Sequence, residues 1–347
     1  MTVENRAPEP LLRIEDLSVR FGTEDGVVSA VRGLRLEVFE REVLGVVGES
    51  GSGKSVTGLA VMGLLPPRAE VTGRILLKGE DVTTMTKARL RSVRGRKVAM
   101  VFQDPMTALN PVHTIGDQLA EAVRSHQAVS SKSALEQAAE MLDLVGIPRP
   151  RERLRNYPHE FSGGMRQRVM IAMAVINKPD LIIADEPTTA LDVTVQAQIL
   201  EKLLEVKDAV GAAIVLITHD LGVVAGMAGR VLVMYAGRAV EYGRTEQVFR
   251  TPRMPYTAGL LGSIPGLDAS AHRLRPIPGA PPSLINLPPG CPFYPRCPIA
   301  RDRCATEEPL LADAGHAGHT AACHFRGELS GLSDPTTIFR AEEVDAE

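Results

Sequence analysis

Eight residues constrain this chain more than any others. Gly48-Glu49-Ser50-Gly51-Ser52-Gly53-Lys54-Ser55 fill every fixed position of the pattern G-x-x-x-x-G-K-[ST]. They follow Val43-Leu44-Gly45-Val46-Val47, a continuous apolar run suited to a strand buried on both faces. Helical spacing follows over residues 55–65, and Pro66-Pro67 reads as its stop. Strand, glycine-rich turn and helix in that order make a phosphate cradle. The glycines let backbone N–H groups converge on phosphate oxygens, and the helix points its positive end at them. Gly48, Ser50, Gly51 and Gly53 line such a cradle, Lys54 reaches the β- and γ-phosphates of a nucleotide, and the Ser55 hydroxyl ligates Mg2+. An ordinary glycine-rich turn is the bland alternative, and the flanking strand and helix weigh against it.

A second element completes the first. Leu181-Ile182-Ile183-Ala184-Asp185-Glu186 is an apolar strand ending in two acids. In an open α/β sheet ligands bind at the carboxyl edge of the strands, where Asp185 would lie. Asp185 is placed to hold Mg2+ through water, and Glu186 to polarise an attacking water as general base. Alone, such a strand end more often means simple solvation; the upstream loop changes that.

The remaining pattern supplies a frame. Residues 12–20 and 27–38 alternate polar and apolar with β-branched enrichment, which predicts antiparallel strands. Residues 104–178 read as helical, with Leu135, Ala138, Met141, Leu142 and Val145 on one stripe closed by Gly146 and Pro148. Buried strands return at 181–184 and 214–218 with a helix over 193–210 between them, the signature of a parallel sheet with crossover helices. After about Thr245 the character changes. Nine of the 25 prolines fall between Pro276 and Pro298, so this stretch reads as an extended wrapping segment, and the tail from 330 to 347 as frayed.

Length, 347 residues, predicts one large domain with an appendage. A net charge of −3 with Lys and Arg spread along the chain argues against a nucleic-acid or anionic-lipid surface. Apolar runs fall far short of the roughly 20 residues a membrane helix requires. The polar N-terminus has no apolar signal region. The expectation is a cytoplasmic protein whose membrane association comes through partners.

Phe161-Ser162-Gly163-Gly164-Met165-Arg166-Gln167-Arg168 resembles the signature sequence of ABC ATPases, about twenty residues before the acidic strand. Other elements of that family follow in order: Gln103 matches its glutamine loop, Ala190-Leu191-Asp192 the loop after the acidic strand, and His219 its switch histidine. Phe21 is the candidate for the aromatic that stacks on adenine. The resemblance runs from about Leu11 to Arg250 and implies an α/β P-loop NTPase core with an antiparallel β subdomain and a helical insertion. It implies ATP as substrate with Mg2+ held by Ser55, Gln103 and Asp185, and a catalytic set of Glu186, His219 and Gln103. It also implies that Ser162, Gly163, Gly164 and Asp192 serve nucleotide across a dimer. Ser162 suits that role physically, because it can cap the helix beginning near Met165 and leave its amides free for a phosphate. Phe161 and Met165 stand where the commoner form has leucine and glutamine.

All four cysteines lie in one window, Cys291, Cys297, Cys304 and Cys323, and their spacing does not match paired C-x2-C zinc sites. In a reducing compartment such a cluster is more often a metal site than a pair of disulfides. Gly290-Cys291-Pro292-Phe293-Tyr294-Pro295-Arg296-Cys297-Pro298 resembles the C-terminal extension of oligopeptide and dipeptide importer ATPases, which implies a 4Fe-4S cluster on the four thiols. Zinc, with His316, His319 and His324 nearby, stays open, as do incidental reduced thiols. The expected organisation is therefore a nucleotide-binding domain over 1–250, with the helical part at about 104–178, and a small irregular metal-binding extension over 251–347. The implied function is the ATPase of a peptide importer. Its implied partners are a second, related but distinct ATPase subunit, two transmembrane permease subunits and an extracytoplasmic substrate-binding protein, with no nucleic acid. Nickel, glutathione or another small solute in place of peptide remain open, as does a non-transport ABC ATPase or a redox-sensing regulator.

Overall fold

The computed structural model describes residues 9–188, 192–263, 276–332 and 334–339. Two sheets organise it. The first is antiparallel and contains β1 (Leu12–Thr23), β2 (Gly26–Val38), β4 (Ala69–Leu77) and β5 (Glu80–Asp81), in the order β2-β1-β4-β5. The second has a parallel centre of β3 (Val43–Val47), β6 (Val98–Val101), β7 (Leu181–Asp185), β8 (Ala213–Thr218) and β9 (Arg230–Tyr235). Antiparallel additions extend it through β10 (Arg238–Arg244), β11 (Ala312–Asp313) and β12 (Thr320–Ala321), giving the order β11-β12-β10-β9-β3-β8-β7-β6.

Every residue of β3, β6, β7 and β8 is buried, as their unbroken apolar runs require. Alternate side chains serve opposite faces. Leu44, Val46, Ile183, Val215 and Ile217 pack towards the antiparallel sheet and α1 (Lys54–Val61). Val43, Val47, Ile182, Ala184, Ile214 and Leu216 pack on the other side with the helical insertion. That insertion holds α3 (Pro105–Ala108), α4 (Ile115–Arg124), α5 (Ser131–Leu144), α6 (Pro150–Arg153) and α7 (Gly163–Val175), where the sequence reads as helical; α2 (Lys87–Val93) precedes it. Helix α8 (Val193–Val210) follows β7 within the bounds expected.

Three local readings need correction. Helix α1 ends before the prolines: Gly63, at φ 60°, donates to Ala60 O, and Leu64 N reaches back to Leu59 O at 2.8 Å, so a left-handed glycine terminates it. On α5 the buried stripe runs through Ala134 instead of Leu135, which is 37% exposed. The tail from 330 is not wholly frayed: the turn Pro335–Phe339 brings Phe339 to 6.5 Å from Phe293, ring to ring, and against Gly259 of the helix Pro255–Gly262. The proline-rich stretch does wrap, with Ser29 N donating to Leu284 O at 3.1 Å, and β12 then pairs with β10 at Glu241 and Tyr242.

Candidate nucleotide site

The glycine loop leaves β3 and enters α1 as its sequence implies. Gly48 sits at φ 150° and Gly53 at φ 101°. A Cβ would fall 2.2 Å from Met234 O at the first and 2.3 Å from Ala30 O at the second, so only glycine fits both. Lys54 is 5% exposed and donates to Gly48 O at 2.7 Å and Glu49 O at 2.9 Å, folding the loop around its own ammonium. Burial lowers its pKa, against the opposing fields of Glu186, Asp185 and Glu49.

Strand β7 delivers the acids beside that loop. Ser55 Oγ donates to Asp185 Oδ1 at 2.9 Å, across 130 residues of sequence. Asp185 is 7% exposed, and burial raises its pKa more than the Ser55 hydrogen bond lowers it. Glu186 takes a positive φ of 46°, and its amide donates to Ile217 O at 2.8 Å on the neighbouring strand, which turns its side chain out of the β7 line. Two expected residues meet it there: Gln103 Nε2 donates to Glu186 Oε2 at 3.0 Å, and His219 Nδ1 lies 3.3 Å from Oε1. Gln103 follows β6 and His219 follows β8, so three adjacent parallel strands deliver the three side chains at one edge.

A magnesium ion fits this donor set. It takes few protein ligands and keeps the rest of its octahedron for water and phosphate. One hydroxyl touching one buried carboxylate is that kind of site, and it is not a cage of three acidic or imidazole ligands, of which there is none among the described residues.

Comparison with known proteins is decisive. Residues 31–189 match the family model described as ABC transporter, and residues 240–304 match the model of the oligopeptide/dipeptide transporter C-terminal region. The dipeptide transport ATP-binding protein DppD of Bacillus subtilis is 52% identical over 325 residues, which cover 92% of this chain and 96% of that one. The chain belongs to this family of ABC-transporter ATP-binding proteins.

The oligopeptide transport ATP-binding protein OppD of Mycobacterium tuberculosis is 54% identical over 335 residues, 96% of this chain, which nevertheless spans about half the length of that relative. Among solved structures, a dimeric ATP-binding cassette, MJ0796, bound to ADP and phosphate shares the fold at TM-score 0.60 and 24% identity, covering 67% of this chain and 98% of its own. The cbiO1 protein of Clostridium perfringens, part of an ABC transporter complex, aligns at TM-score 0.59 and 27% identity over 70% and 91% of the two chains.

Other expected residues of the cassette lie away from the loop. Ser162 caps α7 and accepts from Met165 N at 3.4 Å, so the exposed Ser162-Gly163 edge presents free helix amides. No hydrogen bond among the described residues joins Ser162, Gly163 or Gly164 to the loop of the same chain; Gly164 instead faces Val195 on α8. Asp192 is exposed and caps α8, accepting from Val195 N at 2.9 Å. Ala190 and Leu191 lie outside the described residues. Phe21 is half-buried near the end of β1, paired with Val28 and Ala69 and packed on the core of the antiparallel sheet.

The expected metal-binding character of the extension finds no support in the structure. Cys291, Cys297, Cys304 and Cys323 line one pocket with Phe293, Ile299 and Phe325, and none is in a disulfide. Yet among the described residues no three Cys, His, Asp or Glu side chains stand together as ligands for a metal. The setting of the thiols is apolar, and burial pushes Cys291 and Cys323 up to about 11 and Cys297 to about 12. The nearby histidines are engaged too: His319 Nε2 lies 2.8 Å from Glu241 Oε1, His316 Nε2 3.4 Å from Arg253, and His324 Nε2 2.9 Å from Glu307 O.

Sequence reading also missed the groups that hold the loop from behind. Glu49 N donates to Tyr256 Oη at 2.8 Å, and Arg296 of the extension reaches the Glu49 carboxylate at 2.6 and 2.9 Å. Arg296 lies inside the Tyr294-Pro295-Arg296-Cys297 run, but nothing in that run points to residue 49.

Proposed function

We propose that this chain is the ATP-hydrolysing subunit of an ABC importer that couples ATP binding and hydrolysis to uptake of dipeptides or oligopeptides across the cytoplasmic membrane. One observation carries the reading: Lys54, Ser55, Asp185, Glu186, Gln103 and His219, drawn from four parallel strands and the segments that follow them, come to one sheet edge, where Ser55 bonds Asp185 and both Gln103 and His219 meet Glu186. The names of the relatives and the match over residues 240–304 support peptide as cargo.

In this reading the amides of residues 48–53 and the Lys54 ammonium hold the β- and γ-phosphates, Lys54 exchanging its contacts with Gly48 O and Glu49 O for phosphate oxygens. Ser55 and Asp185, with Gln103, would hold Mg2+, which when bound would neutralise charge on the phosphates. Glu186 accepts the proton of a water attacking the γ-phosphorus in line, and Gln103 Nε2 and His219 Nδ1 keep its two oxygens aimed. His219, 66% exposed at the side chain, is free to contact the γ-phosphate. Ser162, Gly163, Gly164 and Asp192 serve the site of a second ATPase subunit, related but distinct, because their own loop does not meet them. Phe21 is assigned to the adenine.

Two permease subunits would dock near the segment after Gln103, and an extracytoplasmic protein would deliver the peptide. Among the described residues no helix is long and apolar enough to cross a membrane, so these partners would hold the subunit at the cytoplasmic face. The division into a nucleotide-binding domain over 1–250 and an extension over 251–347 belongs to the same proposal. So does the finer reading of the extension, a 4Fe-4S cluster or zinc on its cysteines; its support is that four unpaired thiols share one pocket. Anaerobic purification followed by metal and sulfide analysis decides between cluster, zinc and neither.

Glu186→Gln tests the core claim. Reconstituted with its companions, the variant is expected to bind ATP within about threefold of wild type and to lose at least about a hundredfold in turnover, as loss of a general base does. Near-normal hydrolysis would remove Glu186 from this role.

A further inference from the structure

The phosphate loop contains a carboxylate. Glu49 is the first variable residue of the motif, and its negative charge lies beside a cradle built for a triphosphate. The field of Glu49 already reaches Lys54, where it is among the charges opposing the effect of burial. Left alone, that carboxylate would repel the nucleotide.

It is not left alone. Both its oxygens accept from Arg296, Nη1 at 2.6 Å and Nη2 at 2.9 Å, in a bidentate fork. Arg296 is 7% exposed and fixed on its other sides: Nε donates to Pro278 O at 2.9 Å, Nη1 lies 3.3 Å from Tyr235 Oη, and the guanidinium sits 5.9 Å from the ring centres of Tyr235 and Phe293. The Glu49 hydrogen bonds keep it firmly protonated. Tyr256, also beyond residue 250, holds the Glu49 backbone through its hydroxyl. The loop is thus gripped at backbone and side chain by the segment that follows the nucleotide-binding core.

We propose that Arg296 is a positioning residue for the nucleotide site: it draws off the Glu49 charge, so that ATP affinity depends on the docked extension. This rests on the reading of residues 48–55 as an ATP site. The guanidinium acts through Glu49.

Isothermal titration of the full chain with Mg-ATP tests it, with melting followed separately without nucleotide. Arg296→Met is expected to bind about tenfold more weakly, because an uncompensated, half-buried carboxylate then lies beside the phosphate loop. Arg296→Lys keeps the charge but loses the bidentate fork, and is expected to fall between wild type and Arg296→Met. The deciding variant is the double one. Glu49→Gln with Arg296→Met removes the repulsion and should return to within about threefold of wild type, whereas a merely structural arginine predicts no rescue. Glu49→Gln alone should bind at least as tightly as wild type, and this holds as a test even where Arg296→Met does not fold. Wild-type affinity in Arg296→Met, no rescue in the double variant, or weakened binding in Glu49→Gln would each overturn the inference. A wild-type chain that binds no Mg-ATP would overturn the functional reading along with it; binding by wild type with indifferent variants would overturn the inference alone.

Discussion

Two places in the molecule gather reactive side chains, and they differ in kind. At the edge of the parallel sheet, Lys54, Ser55, Asp185, Glu186, Gln103 and His219 each have a polar partner, and opposite charges face one another. In the extension, four thiols line a pocket with Phe293, Ile299 and Phe325, and burial is the leading influence on Cys291, Cys297 and Cys323. Both gatherings bring ligand-type residues together. Burial is the leading influence on Lys54 and Asp185 too, but there opposite charges act against it, whereas the charges nearest the thiols add to it. A site is made by its field as much as by its inventory.

The largest expected effect falls on the polar gathering. Lys54→Ala removes the one cation folded into the loop and leaves Gly48 O and Glu49 O without their donor. A loss of ATP affinity of at least about a hundredfold is expected, since charge-assisted phosphate contacts in a desolvated site are worth several kcal/mol. Fluorescent-nucleotide titration measures it. Unimpaired binding and cleavage would erase the contrast between the two regions, because the loop would then not be a phosphate site at all.

Acid should act here as well. Asp185 has its pKa raised by burial, so the empty site takes up a proton at higher pH than an ordinary carboxylate does. Falling pH therefore removes the anion needed for Mg2+ before exposed carboxylates titrate. Metal affinity of the nucleotide-free chain should fall on the acid side earlier than the ordinary aspartate value implies. A curve centred on that ordinary value would mean that the Ser55 hydrogen bond and the Lys54 charge fully offset burial.

How far all this was legible depends on the distance over which the information is carried. The loop 48–55 and the strand 181–186 are local patterns whose chemistry is fixed by adjacent residues, and helix α8 carries its own Asp192 cap and Gly211 stop. Where one position decided an outcome, local reading slipped: Gly63 ended α1 before Pro66, and Ala134 took the core place read for Leu135. The contact between Arg296 and Glu49 spans 247 residues and was invisible, because no periodicity records it. The cysteines show the converse. Their spacing was plain, but whether they meet as ligands depends on the dielectric around them, which spacing does not encode.

The thiols offer the next test. At pH 8 an ordinary thiol is roughly a tenth ionised, and one at about 11 roughly a thousandth. Iodoacetamide should therefore label native Cys291 and Cys323 about a hundredfold more slowly than in denaturant, from ionisation alone. The native rate should go on rising to about pH 11, whereas the denatured rate levels off near the ordinary thiol value. A native rate that plateaus early would reveal thiolate held by a cation or metal, and the two regions would then be alike.

The smallest effect separates the same alternatives by energy. If the cysteines are core groups, Cys304→Ala removes one sulfur from a packed pocket, and Cys304 N–H still bonds Arg301 O at 2.8 Å through the backbone. The expected cost is about 1 kcal/mol, a fall in melting temperature of about 2 °C, with ATP affinity unchanged. Cys297→Ala, at the half-buried position, should cost no more, and the two should nearly add, as independent truncations do. Ligands of one metal behave otherwise. Losing any one removes binding energy that is also folding energy, so each single variant would cost several kcal/mol and the pair little more than either. Differential scanning calorimetry on the two single variants and the double therefore reads the extension directly. Small additive losses leave it an apolar brace behind the loop, and large non-additive ones make it a metal centre.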